Sequence, residues 1–84
     1  MEIYVICSVA QDGRRQLDAV DTNEEKADRK ARAIAQAFAK RYGATFRGQP
    51  YAYPMNGGPN VGKVYRVRKA GEFVADVEIY SVWE

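Results

Sequence analysis

A single small α+β domain, a mostly antiparallel sheet of three to five strands with one long helix packed on one face, is the fold this chain predicts. Three observations predict it. The chain opens on an alternating run, with Ile3, Val5, Cys7 and Val9 set against Tyr4, Ile6, Ser8 and Ala10. An alanine-rich stretch of helical period follows, and two further alternating runs close the chain. Its 84 residues have room for one core and no second domain, so residues 1–84 are read as one unit.

Both faces of the first run are apolar, which predicts a central strand covered on both sides for part of its length. Gln11-Asp12-Gly13-Arg14 reads as a tight turn, because Asp-Gly supplies the positive φ angles a hairpin needs. Arg15 to Val20 then returns antiparallel, and its polar content makes it an edge. Thr22-Asn23-Glu24-Glu25 fits a capping box, with the Thr22 hydroxyl on the Glu25 N–H and the Glu25 side chain reaching back. From about Asn23 to Tyr42 the sequence is helical, with Ala27, Ala31, Ile34, Ala35, Phe38 and Tyr42 on one face. Glu25–Arg29 and Asp28–Arg32 are favourable pairs one turn apart, and Gly43 ends the helix in the left-handed conformation.

Ala44 to Arg47 is a short strand candidate. Gln49 to Asn60, with Pro50, Pro54 and Asn56-Gly57-Gly58-Pro59, reads as a long loop or an open hairpin. From Val61 the strand pattern runs to Lys69, turns at Ala70-Gly71 and returns from Phe73 to Trp83, with a change of face expected near Val82 and Trp83 through a bulge. The core is expected to draw on Ile3, Val5, Ile6, Ala31, Ile34, Phe38, Val67, Val77 and Ile79.

Composition excludes whole classes of chemistry. The chain has no histidine and one cysteine, Cys7. Ser-His-Asp and Cys-His catalysis, histidine-bearing zinc sites and intrachain disulfides are therefore ruled out. Cys7 reads as a small apolar strand residue. No Asp-x-Asp cluster suggests a cation site, and no cofactor is expected. Gly57 to Lys63 fits the G-x-x-x-x-G-K spacing of a phosphate loop, but Val64 stands where Ser or Thr would bind magnesium, and a strand pattern follows where a helix is required. No apolar run approaches a membrane span, and the N-terminus lacks a signal-peptide pattern, so a cytoplasmic protein with no membrane partner is expected.

Charge is distributed unevenly. Residues 1–25 carry −4, residues 26–69 carry +10 and residues 70–84 carry −4. The candidate partner-binding residues follow from this distribution: Lys26, Arg29, Arg32 and Lys40 opposite the apolar helix stripe, and Arg66 and Arg68 alternating outward from their strand. Tyr51 and Tyr53 join them in the loop, either as aromatic anchors for a partner or as a lid folded back on the edge of the core. Bases on the strand could equally pair with Asp76 and Glu78 across the hairpin.

The layout resembles small proteins of bacteriophages and other mobile elements, anti-CRISPR inhibitors among them. The resemblance rests on the opening strand Met1-Glu2-Ile3-Tyr4-Val5-Ile6, the helix entry Thr22-Asn23-Glu24-Glu25-Lys26-Ala27 and the closing strand Val77-Glu78-Ile79-Tyr80. It implies a non-enzymatic protein that occludes a partner, such as a host nucleoprotein complex. The alternatives are a nucleic-acid-binding accessory protein that uses the basic helix face and strand, and a small enzyme working with carboxylates, tyrosine and lysine.

Overall fold

The alternating run at the N-terminus forms β1 (Glu2–Val9), and the Asp12-Gly13 turn returns it into β2 (Arg15–Asp21). Gly13 takes φ +83°, the left-handed value the turn demands, and Asp12 accepts from the Arg14 N–H at 3.0 Å. Helix α1 (Glu24–Tyr42) follows, then β3 (Thr45–Met55), β4 (Gly58–Lys69) and β5 (Glu72–Trp83). This computed structural model describes the backbone of residues 1–55 and 58–83 and the side chains of residues 1–50 and 62–83. The five strands form one antiparallel sheet in the order β2-β1-β5-β4-β3, with α1 on one face.

The helix begins one residue later than the capping-box reading places it. Asn23, with extended φ −112° and ψ 124°, is the N-cap and accepts from the Lys26 N–H at 3.0 Å, while Asp21 accepts from the Asn23 N–H at 2.9 Å. Asp21 thus fills the role expected of Glu25, and Thr22 is outside the cap. Gly43 closes the helix at φ +63° as the sequence requires. Of the two expected pairs along the helix, Arg32 lies 3.9 Å from Asp28, whereas Glu25 and Arg29 stay exposed with no ion pair between them.

The buried stripe of α1 is Ala27, Ala31, Ala35 and Ala39, one methyl per turn, so the helix backbone lies close against the sheet. Ile34 and Phe38 pack on the flank, half-buried, and Tyr42 is exposed. Opposite the alanines stand Ile6 on β1, Tyr65 and Val67 on β4, and Ala75, Val77 and Ile79 on β5. Five expected core residues, Ile6, Ala31, Val67, Val77 and Ile79, are buried here. Ile3 and Val5 are half-buried on the opposite face. α1 packs on one side of the sheet, and on the other side Cys7 is buried as well, so β1 is covered on both faces over Ile6, Cys7 and Ser8, as its two apolar faces predict.

The stretch read as a loop or an open hairpin is a paired hairpin arm. β3 and β4 pair continuously from Thr45↔Arg68 to Met55↔Gly58. Pro50 and Pro54 sit in β3 because it is an edge strand, where no outer neighbour needs a proline N–H. The bulge expected near Val82 and Trp83 is absent, because β5 pairs with β1 in unbroken register from Trp83↔Glu2 to Asp76↔Val9. The irregularities lie elsewhere, between Ile6 and Cys7 against β2 and between Val67 and Arg68 against β5. No helix among the described residues is long and apolar enough to cross a membrane.

Candidate binding surface

The strand pairing sorts the side chains of the sheet into two faces. Under α1, Asp28 is the centre of a polar cluster: the Tyr65 hydroxyl donates to its carboxylate, Lys63 Nζ lies 3.2 Å from the same oxygen, and Arg32 approaches the other. Burial pushes the Asp28 carboxyl up, but the hydrogen bonds from Tyr65 and Lys63 and the charges of Lys63 and Arg32 outweigh it, leaving it below the ordinary value. Lys63 is held above its ordinary value by the contact with Tyr65, against a smaller opposing effect of burial, with Asp28 adding to the rise. The ring of Tyr65 covers Gly48, its cross-strand partner, where a Cβ would stand 2.7 Å from the ring edge. A groove of about 950 Å³ opens beside this cluster, lined by Tyr4, Glu24, Glu25, Asp28, Lys63 and Ser81 among others. Asp28 and Lys63 face each other there, and the groove holds charges of both signs.

The other face of the sheet has no described element over it. One row crosses all five strands as Leu17, Cys7, Glu78, Val64 and Gln49. The next crosses as Arg15, Val9, Asp76, Arg66 and Arg47. Glu78 is buried and meets Arg15 of β2 at 2.5 Å. Arg68 meets Asp76 at 2.9 Å, donates to the carbonyls of Val67 and Ala75, and lies over the Phe73 ring at 4.9 Å. Cys7 Sγ is 3.6 Å from the Tyr80 hydroxyl, and this contact, with burial and the charges of Cys7 and Glu78, pushes the Tyr80 phenol up to about 12.

Two halves result. Over β2 and β1 the face is aliphatic: Leu17 is 62% and Val20 47% exposed, beside the half-buried Ile3, Val5 and Val9. Over β4 and β3 it is cationic. Arg47 and Arg66 are cross-strand partners, and neither has a carboxylate within ion-pair reach among the described residues. With its amide oxygen turned towards Arg66, Gln49 accepts from Nε at 2.9 Å and from the terminal nitrogen at 3.2 Å.

The sequence-derived candidates therefore divide. Lys26, Arg29 and Lys40 are exposed on the outer side of α1, and Arg32 is there too, committed to Asp28 and lying 5.9 Å from the Tyr65 ring. Arg66 and Arg68 lie on the far side of the sheet, and Arg68 is taken up by Asp76 and Phe73. No single flat surface touches both groups. Tyr51 and Tyr53 pair by backbone with Gly62 and Asn60, and their side chains lie outside the described residues. Leu17, Val20 and Arg47 were not singled out from sequence. The exposed pair Leu17 and Val20 would have been found by asking what two aliphatics do in an otherwise polar edge strand.

The G-x-x-x-x-G-K match does not build a phosphate loop, because Gly62 and Lys63 stand within β4, Lys63 is turned to Asp28, and strand follows. Gly57 in that match lies outside the described residues. Among the described residues no three Cys, Asp or Glu side chains converge on a metal position. Comparison with protein-family models, curated proteins and solved structures finds no match for this chain.

Proposed function

We propose that this chain is a non-enzymatic protein-binding module that works by covering part of its partner, in the manner of the phage-type inhibitors of host complexes whose layout it resembles. The observation that carries the reading is the edge of the sheet face opposite α1, where Leu17 and Val20 stand exposed beside the half-buried Val5 and Val9 with no described element above them. A sheet ordinarily buries its apolar positions against a second layer, and contiguous exposed aliphatics on a soluble surface mark an interaction site. Arg47 and Arg66 at the other end of the face steer an acidic partner and fix its orientation.

A second reading, nucleic-acid binding by the outer face of α1, is favoured by the exposed Lys26, Arg29 and Lys40. Capture from a bacterial lysate on the immobilised chain separates the two. The protein-binding reading expects a stoichiometric protein partner that survives moderate salt, is lost with Leu17→Asp/Val20→Asp, and is kept with Lys26→Glu/Arg29→Glu. Retention on duplex DNA at physiological salt, falling steeply as salt rises and abolished by Lys26→Glu/Arg29→Glu, would establish the second reading instead.

A further inference from the structure

We infer that the sheet face opposite α1 takes an acidic amphipathic helix of the partner protein. Such a helix would lie over β1 and β5, above the already buried Cys7 and Glu78, with its apolar flank on the exposed Leu17 and Val20 and its carboxylates on Arg66 and Arg47. This inference rests on the protein-binding reading above and names the chemistry of the partner.

The first argument is charge. Arg15 and Arg68 are neutralised within the face by Glu78 and Asp76. Among the described residues neither Arg47 nor Arg66 has a carboxylate within ion-pair reach: Asp76, the cross-strand neighbour of Arg66, is turned to Arg68, and the two arginines stand directly opposite one another across β3 and β4. Like charges in that position, with Cβ atoms about 5 Å apart, work against the sheet. Gln49 holds the Arg66 guanidinium by two of its N–H groups and so fixes its orientation. An oriented guanidinium beside a second, unneutralised one suits incoming carboxylates. The aliphatic half of the face offers a phosphate backbone nothing, which favours a protein over a nucleic acid.

The second argument is size. Strands are spaced about 4.8 Å apart, so the aliphatic positions on β2 and the cationic ones on β4 are separated by roughly 14 Å. A helix is about 10–12 Å across with its side chains. Set over β1 and β5, it reaches β2 on one flank and β4 on the other, whereas an extended segment is too narrow to do both. The chain's own α1 covers β1, β5 and β4 in this way on the opposite side of the sheet.

The test is a titration of the isotope-labelled full chain, followed by NMR, with three probes: a synthetic Leu/Glu amphipathic helix, its Leu/Lys counterpart, and a duplex oligonucleotide. The Leu/Glu peptide is expected to shift the amides of Leu17, Val20 and Arg66 and to leave the outer face of α1 unchanged. Arg47→Gln/Arg66→Gln should weaken it at least about tenfold while the melting temperature stays level or rises, since a repulsive pair has been removed. No binding of the Leu/Glu peptide, equal binding of the Leu/Lys peptide, or preferential binding of the oligonucleotide overturns the inference. Partner capture separates it from the reading on which it rests. If Leu17→Asp abolishes capture and Arg47→Gln/Arg66→Gln does not, the binding face stands and the acidic helix falls. If neither variant affects capture, both fall.

Discussion

The Tyr65 hydroxyl donates a hydrogen bond to Asp28 across the boundary between β4 and α1, and Lys63, two residues before Tyr65, reaches the same carboxylate. Asp28 stands one residue beyond Ala27, the first buried alanine of the stripe, so this bond fixes where along the sheet the helix sits. The sequence marks Asp28 as the one acid in a basic stretch and as the partner of Arg32 one turn on, but not as the partner of Tyr65 and Lys63.

Tyr65→Phe keeps the buried ring over Gly48 and removes only the hydroxyl. It should cost about 1–2 kcal/mol in urea denaturation, the usual range for a hydrogen bond to a charged group that retains other partners. A loss near zero would show that Lys63 and Arg32 satisfy Asp28 alone.

Asp28 and Asp21 both lie below the ordinary carboxylate value, Asp28 for the reasons given above. For Asp21 the cause is first the contact from Lys30, 2.9 Å away, and then the Asn23 N–H. A depressed folded-state value means that the unfolded chain takes up the proton first as pH falls. The stability these groups contribute is therefore fully present above about pH 4 and lost as pH drops through the lower folded-state values. Asp28→Asn should lower stability at neutral pH and flatten this acid limb. Thermal melts of both proteins across the acid range check it, and parallel curves would count against the Asp28 assignment.

Gly48→Ala places a Cβ 2.7 Å from Cε1 and 3.1 Å from Cδ1 of Tyr65. That ring is buried and held at its far end by Asp28, so it cannot swing aside. The substitution should destabilise the fold by about 1–3 kcal/mol, and combining it with Tyr65→Phe, which frees the ring, should cost less than the sum of the two. Strict additivity in denaturant melts would contradict this account.

Ala31→Leu and Ala33→Leu carry the same chemistry to opposite sides of α1. Ala31 is fully buried against the sheet, and Ala33 is exposed. The first should cost about 1–3 kcal/mol through overpacking, and the second should stay within about 0.5 kcal/mol. Equal effects would mean that the helix is rotated about its axis.

Local signals settled much of this protein from sequence alone. The Asp12-Gly13 turn, the alanine-rich helix with its Gly43 stop, the return at Ala70-Gly71 and the edge character of Arg15 to Val20 each depend on a few neighbouring residues, and each stands in the structure. The cap moved by one residue because Asn23 and Thr22 compete for the same role, and Asp21 decides it by taking the Asn23 N–H. Tertiary structure alone decided that β5 inserts between β1 and β4. That insertion brings Arg15 of β2 to Glu78, whereas the Arg68–Asp76 pair lies across the β4–β5 hairpin and is one the sequence offers; among the described residues Arg47 and Arg66 meet no carboxylate. It also put the basic residues of α1 and those of β4 on opposite sides of the molecule, where the sequence had grouped them in one positive stretch. The reason is physical: turns and helix ends are set by torsions and hydrogen bonds within a few residues. Strand order and the sharing of charge across a face are set by contacts between residues up to about eighty positions apart, which exist only once the sheet has closed.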